Sequence, residues 1–314
     1  MTVTFNESNK RLAGFNAYYQ REIAPDLYKF EKARRAAIKR ALPVAIAGFV
    51  AAIGSGTVYA FYGDYAIIPG IASIALFIWA WHIVADAKQD LKVFLARKVL
   101  SFFGLTFTDY AGGFYRDQFD ELGLLPAYTT ANLEDRISGT HDGVTIDIAE
   151  AHLLKIKSAG RYASYRTMFR GLLCAFSFPK RFSGRTVIAA EKGWVRKLVR
   201  RLKASGERVR LEDRRFEKTF EVHSTDQVEA RYLLTPVFME RVLALVDSFK
   251  SRRTRLAFDA SRLLIVLDLR TDSFEAGSPF ESASDPDRVQ SLIDDILLIY
   301  DLIDVLALRL KTRV

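Results

Sequence analysis

Along most of the chain apolar and polar positions interleave at the spacing of helices and strands, but two stretches do not interleave at all. Leu42–Tyr62 (LPVAIAGFVAAIGSGTVYAFY) runs for 21 residues without a charge. Tyr65–Ala85 (YAIIPGIASIALFIWAWHIVA) runs for another 21, with only His82 near its end. About 20 apolar residues cross the ~30 Å hydrocarbon core as a helix. The pattern therefore predicts a transmembrane helical hairpin over 42–85, turned at Gly63 and Asp64. The alternative is a pair of buried helices in a large soluble core, which seldom run this long without a charge. Pro43 and Pro69 fall near the start of each span, where proline is tolerated. Gly48, Ala52, Gly56 and Ala60 form a small-residue stripe. Such a stripe suits packing against Ala66 and Gly70 of the second span or, alternatively, homodimerisation. No ionisable group lies mid-span, so these helices offer no proton relay or ion pathway.

The flanks orient the hairpin. Lys29, Lys32, Arg34, Arg35, Lys39 and Arg40 precede it, Lys88, Lys92, Arg97 and Lys98 follow it, and the connecting loop has no Lys or Arg. The positive-inside rule then places both termini in the cytoplasm. The first 40 residues are polar and predict no cleavable signal peptide. Residues 1–41 form a cytoplasmic arm that Pro25 is expected to break. Its Phe15, Tyr18 and Tyr19, set among Lys10, Arg11 and Arg21, suit either an interfacial amphipathic helix or a helix docked on the soluble domain. Residues 86–104 predict a stalk helix that continues the second span, with Leu91, Phe94, Leu95, Phe102 and Phe103 at helical spacing and Gly104 as its C-cap.

Residues 105–314 read as a cytoplasmic α+β domain with a mostly antiparallel sheet, packed helices and a long C-terminal helix. Asp142-Gly143 marks a hairpin within Asp135–Glu150. Phe169–Phe178 and Thr186–Ala189 predict strands. Phe216, Phe220 and Val222 suggest another, and Leu256–Phe258 with Leu263–Leu267 a second hairpin. Residues 192–203 predict a helix with Val195, Leu198, Val199 and Leu202 on one face and bases on the other. Residues 226–247 look helical, with Pro236 starting or kinking a second helix. The last helix is capped by Ser284 or Asp285 with Pro286 in its first turn. Asp294, Asp295, Asp301 and Asp304 interrupt its apolar face and exclude a third span.

The net charge of +9 over 314 residues is unevenly placed. Residues 1–41 carry +5, 192–218 carry +7, and 271–314 carry −5. A chain with this acidic end, lacking a recognised motif, is a poor nucleic-acid binder. The single Cys174 fits a reduced compartment. The basic face Arg196, Lys197, Arg200, Arg201 and Lys203 is either the solvated side of a docked helix or a contact for anionic lipid headgroups.

Catalytic chemistry is sparse. His82, His141, His152 and His223 hold no metal spacing, and one cysteine builds no thiolate zinc site. No catalytic, metal or cofactor residues are assigned and no cofactor is expected. Lys180–Thr186 lacks P-loop spacing. Glu134, Asp135 and Glu150 form an acidic group beside the first hairpin, read first as solvated strand-end charges.

Three stretches taken together are similar to a known family: Phe169-Arg170-Gly171-Leu172, Glu212-Asp213 with Phe216-Glu217, and Thr225 to Pro236 (TDQVEARYLLTP). They resemble the bacterial membrane-protein family called domain of unknown function 3137. The resemblance covers most of residues 25–310. It implies a multi-pass bacterial inner-membrane protein with a two-span hairpin and a cytoplasmic α+β domain, and it implies no reaction. The motif positions Arg170, Gly171, Asp226, Glu229, Arg231, Tyr232 and Pro236 read as structural, with Thr225 expected to cap a helix; a ligand role stays open for Arg231. The function expected is a non-enzymatic binding or scaffolding module at the inner face of the membrane, with the bilayer, a protein partner or a second copy as partners. The alternative is a membrane-bound enzyme acting on a lipid or nucleotide, using Glu134, Asp135, Glu150 and Arg170.

Overall fold

A computed structural model describes residues 4–62, 67–158, 164–190, 206–269 and 285–312. The chain divides into two compact units, Met1–Phe102 with Phe274–Gln290, and Phe103–Ser273 with Ser291–Val314.

The first unit is helical. A short helix α1 (Phe15–Tyr18) passes through a π-helical turn (Tyr19–Ile23) into the 39-residue α2 (Ala24–Tyr62). Pro25 does not break this run. The Ala24 N–H donates to the Tyr19 carbonyl five residues back, and the wider turn carries the chain past a residue that has no N–H to give. Pro43 lies well inside α2 rather than at a helix start. The 36-residue α3 (Ile67–Phe102) is likewise continuous, and Gly104 follows its end at φ 74°, the left-handed conformation of a helix terminator. At 1.5 Å per residue each helix is more than 50 Å long, roughly twice the thickness of a hydrocarbon core.

The two long helices run antiparallel in contact. Phe30 meets Phe94 at 4.9 Å between ring centroids. Ala41, Ala80 and Val84 form a small apolar cluster. The Ser73 hydroxyl donates to the Gly48 carbonyl at 2.8 Å. A Cβ on Gly48 would stand 3.3 Å from that of Leu76, whereas one on Gly56 would meet nothing within 4 Å. Gly48 thus serves packing within the hairpin, and Gly56 faces outward. The N-terminal aromatics fold onto the far end of α3. Phe15 packs edge-on to Phe102 at 4.9 Å, the Tyr18 hydroxyl donates to the Lys98 carbonyl at 2.9 Å, and Lys98 pairs with Glu22 at 3.1 Å. Phe15 and Tyr19 are buried there, so they are not free to lie on a bilayer.

The second unit is a mixed α+β domain. Its described residues form a nine-stranded sheet in the order β1-β2-β3-β4-β9-β8-β5-β7-β6, antiparallel throughout. The strands are β1 (Thr106–Tyr110), β2 (Thr130–His141), β3 (Val144–Ser158), β4 (Ser164–Ser177), β5 (Thr186–Ala189), β6 (Glu207–Val209), β7 (Glu221–Ser224), β8 (Arg253–Asp259) and β9 (Arg262–Asp268). Asp142 and Gly143, both at positive φ, turn β2 into β3, as that dipeptide does in tight hairpins. The remaining helices are α4 (Asp117–Glu121), α5 (Arg214–Thr219), α6 (Gln227–Leu233), α7 (Pro236–Ser248) and α8 (Pro286–Thr312). Phe216 belongs to α5 and not to a strand: the Asp213 carboxylate accepts from the Arg215 and Phe216 N–H groups and starts a helix there.

Alternation along the strands sorts side chains onto two faces. On one face Ala149, Leu153, Leu173 and Val266 pack under Phe114, Phe119 and Leu124 of the 111–125 segment. The buried Arg255 donates to the Leu124 carbonyl at 2.8 Å and ties that segment down. On the other face Phe258 meets Phe238 of α7, and His141 stacks flat on Tyr300 of α8 at 3.9 Å.

Candidate functional site

The residues of the Thr225–Pro236 motif build on one turn. β7 ends at Ser224, whose buried hydroxyl bonds Thr186 Oγ1 at 2.8 Å and accepts the Asp226 N–H at 3.1 Å. Asp226, rather than Thr225, caps α6, accepting from Val228 and Glu229 N–H groups at 3.0 and 2.9 Å. Thr225 instead reaches sideways, its hydroxyl accepting the Arg185 N–H at 2.9 Å. The buried Glu229 accepts the Ser183 N–H at 3.2 Å. A Cβ on Gly184 would stand 2.7 Å from the Asp226 Cβ, so glycine is needed for this approach. Thr235 caps α7, with Pro236 in its first turn. Arg231 is exposed and donates to Gln227 Oε1 at 3.0 Å, and Tyr232 is half-buried.

The same network ties in the Lys180–Thr186 turn. Its Ser183 and Arg185 N–H groups are held by Glu229 and Thr225. Arg185 itself donates to Asp259 at 2.7 Å, alongside Arg262 at 3.2 Å.

Arg170 and Gly171 lie elsewhere, on β4. Gly171 sits at φ 154°, and a Cβ there would stand 1.9 Å from the Leu267 carbonyl oxygen. The adjacent Arg170 carbonyl accepts the Leu269 N–H at 2.7 Å. Arg170 stands opposite His152, and Glu150 opposite both Glu134 and Leu172. Asp135 occupies the irregularity in β2 between Glu134 and Ile137, at φ 48°, and is buried. The strand register thus brings Glu134, Glu150 and Arg170 into one neighbourhood. Asp135, Glu150 and Arg170 are each engaged in polar contacts.

The histidines are dispersed. His141 Nε2 lies 2.7 Å from Asp304, His152 Nε2 3.0 Å from the Thr167 hydroxyl, and His223 Nε2 2.9 Å from Glu221. Among the described residues no group of three metal-binding side chains comes together. Burial drives the Cys174 thiol well above its usual pKa, which removes the reactive thiolate. Hydrogen bonding to the Asp120 carboxylate and burial push Tyr128 up to about 12, burial being the larger cause. The basic positions Arg196, Lys197, Arg200, Arg201 and Lys203 lie outside the described residues, as does the Gly63-Asp64 turn.

Among the described residues an extended apolar surface lies exposed on α2 and α3. Among the described residues fourteen large apolar or aromatic side chains between Leu42 and Trp81 are more than 40% exposed, including Ile46, Phe49, Ile53, Ile71, Ile78 and Trp79. In the most apolar 18-residue windows of the two helices only 11% and 17% of residues are buried.

Residues 167–308 match the family described as Protein of unknown function (DUF3137). The match contains all three motif stretches and is narrower than the 25–310 expected from them; it begins within β4 and does not include α2 and α3. No curated protein matches the chain. The chain is similar to the crystal structure of the mycobacterial trehalose monomycolate transport factor A, TtfA, at 11% identity and a TM-score of 0.35, over 68% of this chain and 96% of that one.

Proposed function

We propose that the protein is an integral protein of the bacterial inner membrane, in which the α2–α3 hairpin spans the bilayer and holds the antiparallel-sheet domain at the cytoplasmic face as a non-enzymatic binding or scaffolding module. The observation that carries this reading is the exposure of the hairpin's apolar side chains. Burying a large apolar side chain is worth about 1.5–3 kcal/mol. Fourteen partly exposed ones forgo on the order of 20 kcal/mol, more than the 5–15 kcal/mol that typically holds a domain together. A bilayer supplies that burial; a soluble core does not leave it unused.

Two features support the finer points. The bases that flank the hairpin and the uncharged turn between its helices favour both ends on the cytoplasmic side. The commitment of the motif side chains to caps and turn closure favours a structural role for them over a catalytic one. In this arrangement the basic segment Lys192–Lys203 contacts anionic headgroups. The test is extraction of native membranes: the protein should stay with the pellet in alkaline carbonate and high salt and dissolve only in detergent. Release into carbonate overturns the reading.

A further inference from the structure

The sheet's two longest strands outrun their neighbours. β3 and β4 pair as far as Ser158 opposite Ser164. β2, however, accompanies β3 only to Leu154, and β9 accompanies β4 only to Gly171. Beyond those points, among the described residues, Lys155–Ser158 and Ser164–Arg166 form a two-stranded arm with no third strand beside it, touched only at its base where the Thr129 hydroxyl accepts the Ile156 N–H at 3.0 Å. Such ribbons are marginal in water by themselves, so this one needs another reason.

Its side chains are sorted by face. Lys155 stands directly opposite Arg166, Lys157 lies at the irregularity between Ile156 and Ser158, and all three are exposed. Ile156 stands opposite Tyr165 on the other face, 41% and 57% exposed. Like charges placed directly across a strand pair destabilise it. Nothing in the nearby sequence relieves them, because no Asp or Glu occurs from Ala151 to Ala190. An arm that keeps two opposed cations and an exposed aliphatic–aromatic pair is built for a partner that is anionic and has an apolar layer beneath its charge.

We propose that the β3–β4 arm is a membrane-contact element that binds the anionic surface of a lipid bilayer. Ile156 and Tyr165 enter the headgroup region, and Lys155, Lys157 and Arg166 extend their stems to lipid phosphates. The segregation of faces favours lipid over single-stranded nucleic acid, whose bases stack on aromatics set within the cationic groove itself. The inference concerns a different element from the hairpin anchor and can fail independently of it.

The test uses the full chain with Ser164→Cys carrying an environment-sensitive fluorophore. Ser164 is exposed at the arm, and the buried Cys174 stays unlabelled. The chain is combined with vesicles of phosphatidylcholine alone or with added phosphatidylglycerol. Emission should shift to the blue only with phosphatidylglycerol and return in high salt. With each cation near the surface adding roughly 1 kcal/mol, replacing Lys155, Lys157 and Arg166 by glutamate should weaken the response about a hundredfold. The continued silence of Cys174 towards thiol reagents shows that the variant is folded, and Tyr165→Ser, which leaves the charges, should also reduce the shift. The same emission in both vesicle types, or a response unchanged by the charge reversal, overturns the inference. A subsequent carbonate wash of the same vesicles reports the hairpin anchor separately.

Discussion

Replacing Gly171 by alanine should damage the sheet domain more than any other single methyl group added to it. The new Cβ would lie 1.9 Å from the Leu267 carbonyl oxygen and 3.0 Å from both the Leu267 carbonyl carbon and the Leu269 nitrogen. These are backbone atoms of the paired strand and cannot swing aside as a side chain can. β4 and β9 must separate locally, which breaks the Leu269 N–H bond to the Arg170 carbonyl and strains the flanking ladder. One or two buried backbone groups left unpaired cost about 1–3 kcal/mol each, and distortion of the core beneath Leu172 and Leu173 adds to that. The expected loss is about 3–5 kcal/mol, a fall in Tm of about 6–15 °C for a domain of this size. Thermal unfolding of the detergent-purified chain, followed by tryptophan fluorescence or circular dichroism, measures it. A Tm within 2 °C of the wild type, on the order of 1 kcal/mol or less, would refute the argument that backbone approach explains this glycine.

Three further outcomes follow from named contacts. Asp226→Ala removes the cap of α6 and should cost about 1–2 kcal/mol in denaturant unfolding, whereas Arg231→Ala, an exposed side chain, should cost less than about 0.5. Burial raises the Asp295 carboxyl from 3.8 to about 6, despite the opposing hydrogen bond from the Ser248 hydroxyl. A carboxyl with a raised folded pKa contributes stability that is complete below about pH 4 and is lost as pH rises through about 6. Asp295→Asn should therefore stabilise the chain by about 1–2 kcal/mol at pH 8 and not at pH 4; equal effects at both would contradict it. Cys174 should resist maleimide in the folded chain and react on unfolding, and ready labelling of the native protein would show that the core between β4 and its helices is open.

Local chemistry was legible where it acts alone. The Asp142-Gly143 turn needs two positive-φ residues and announces itself, as do Thr235-Pro236 at the head of α7 and the uninterrupted apolar runs of α2 and α3. Misreadings arise where a residue's neighbours, near or far in sequence, override its own pattern. Phe216 alternates with Phe220 and Val222 as a strand would, yet Asp213 three residues earlier starts a helix. Thr225 is as good a cap as Asp226 in isolation, but it is drawn off by the Arg185 N–H, forty residues away. Pro25 would break an α-helix and is absorbed by a π turn that single-residue rules do not foresee. The short edge strands β1 and β6 carry little pattern of their own. The arm was invisible because it is defined by where neighbouring strands stop, a property of register rather than of sequence.

In the proposed topology the hairpin crosses the bilayer twice with both ends on the cytoplasmic side. Single cysteines introduced at Gly63, Lys10 and Lys250, against the sealed Cys174, test it with a membrane-impermeant maleimide on intact spheroplasts. Position 63 should be labelled from outside, and positions 10 and 250 only after the membrane is opened. Labelling of position 10 or 250 in intact cells, or protection of position 63 until permeabilisation, would contradict it.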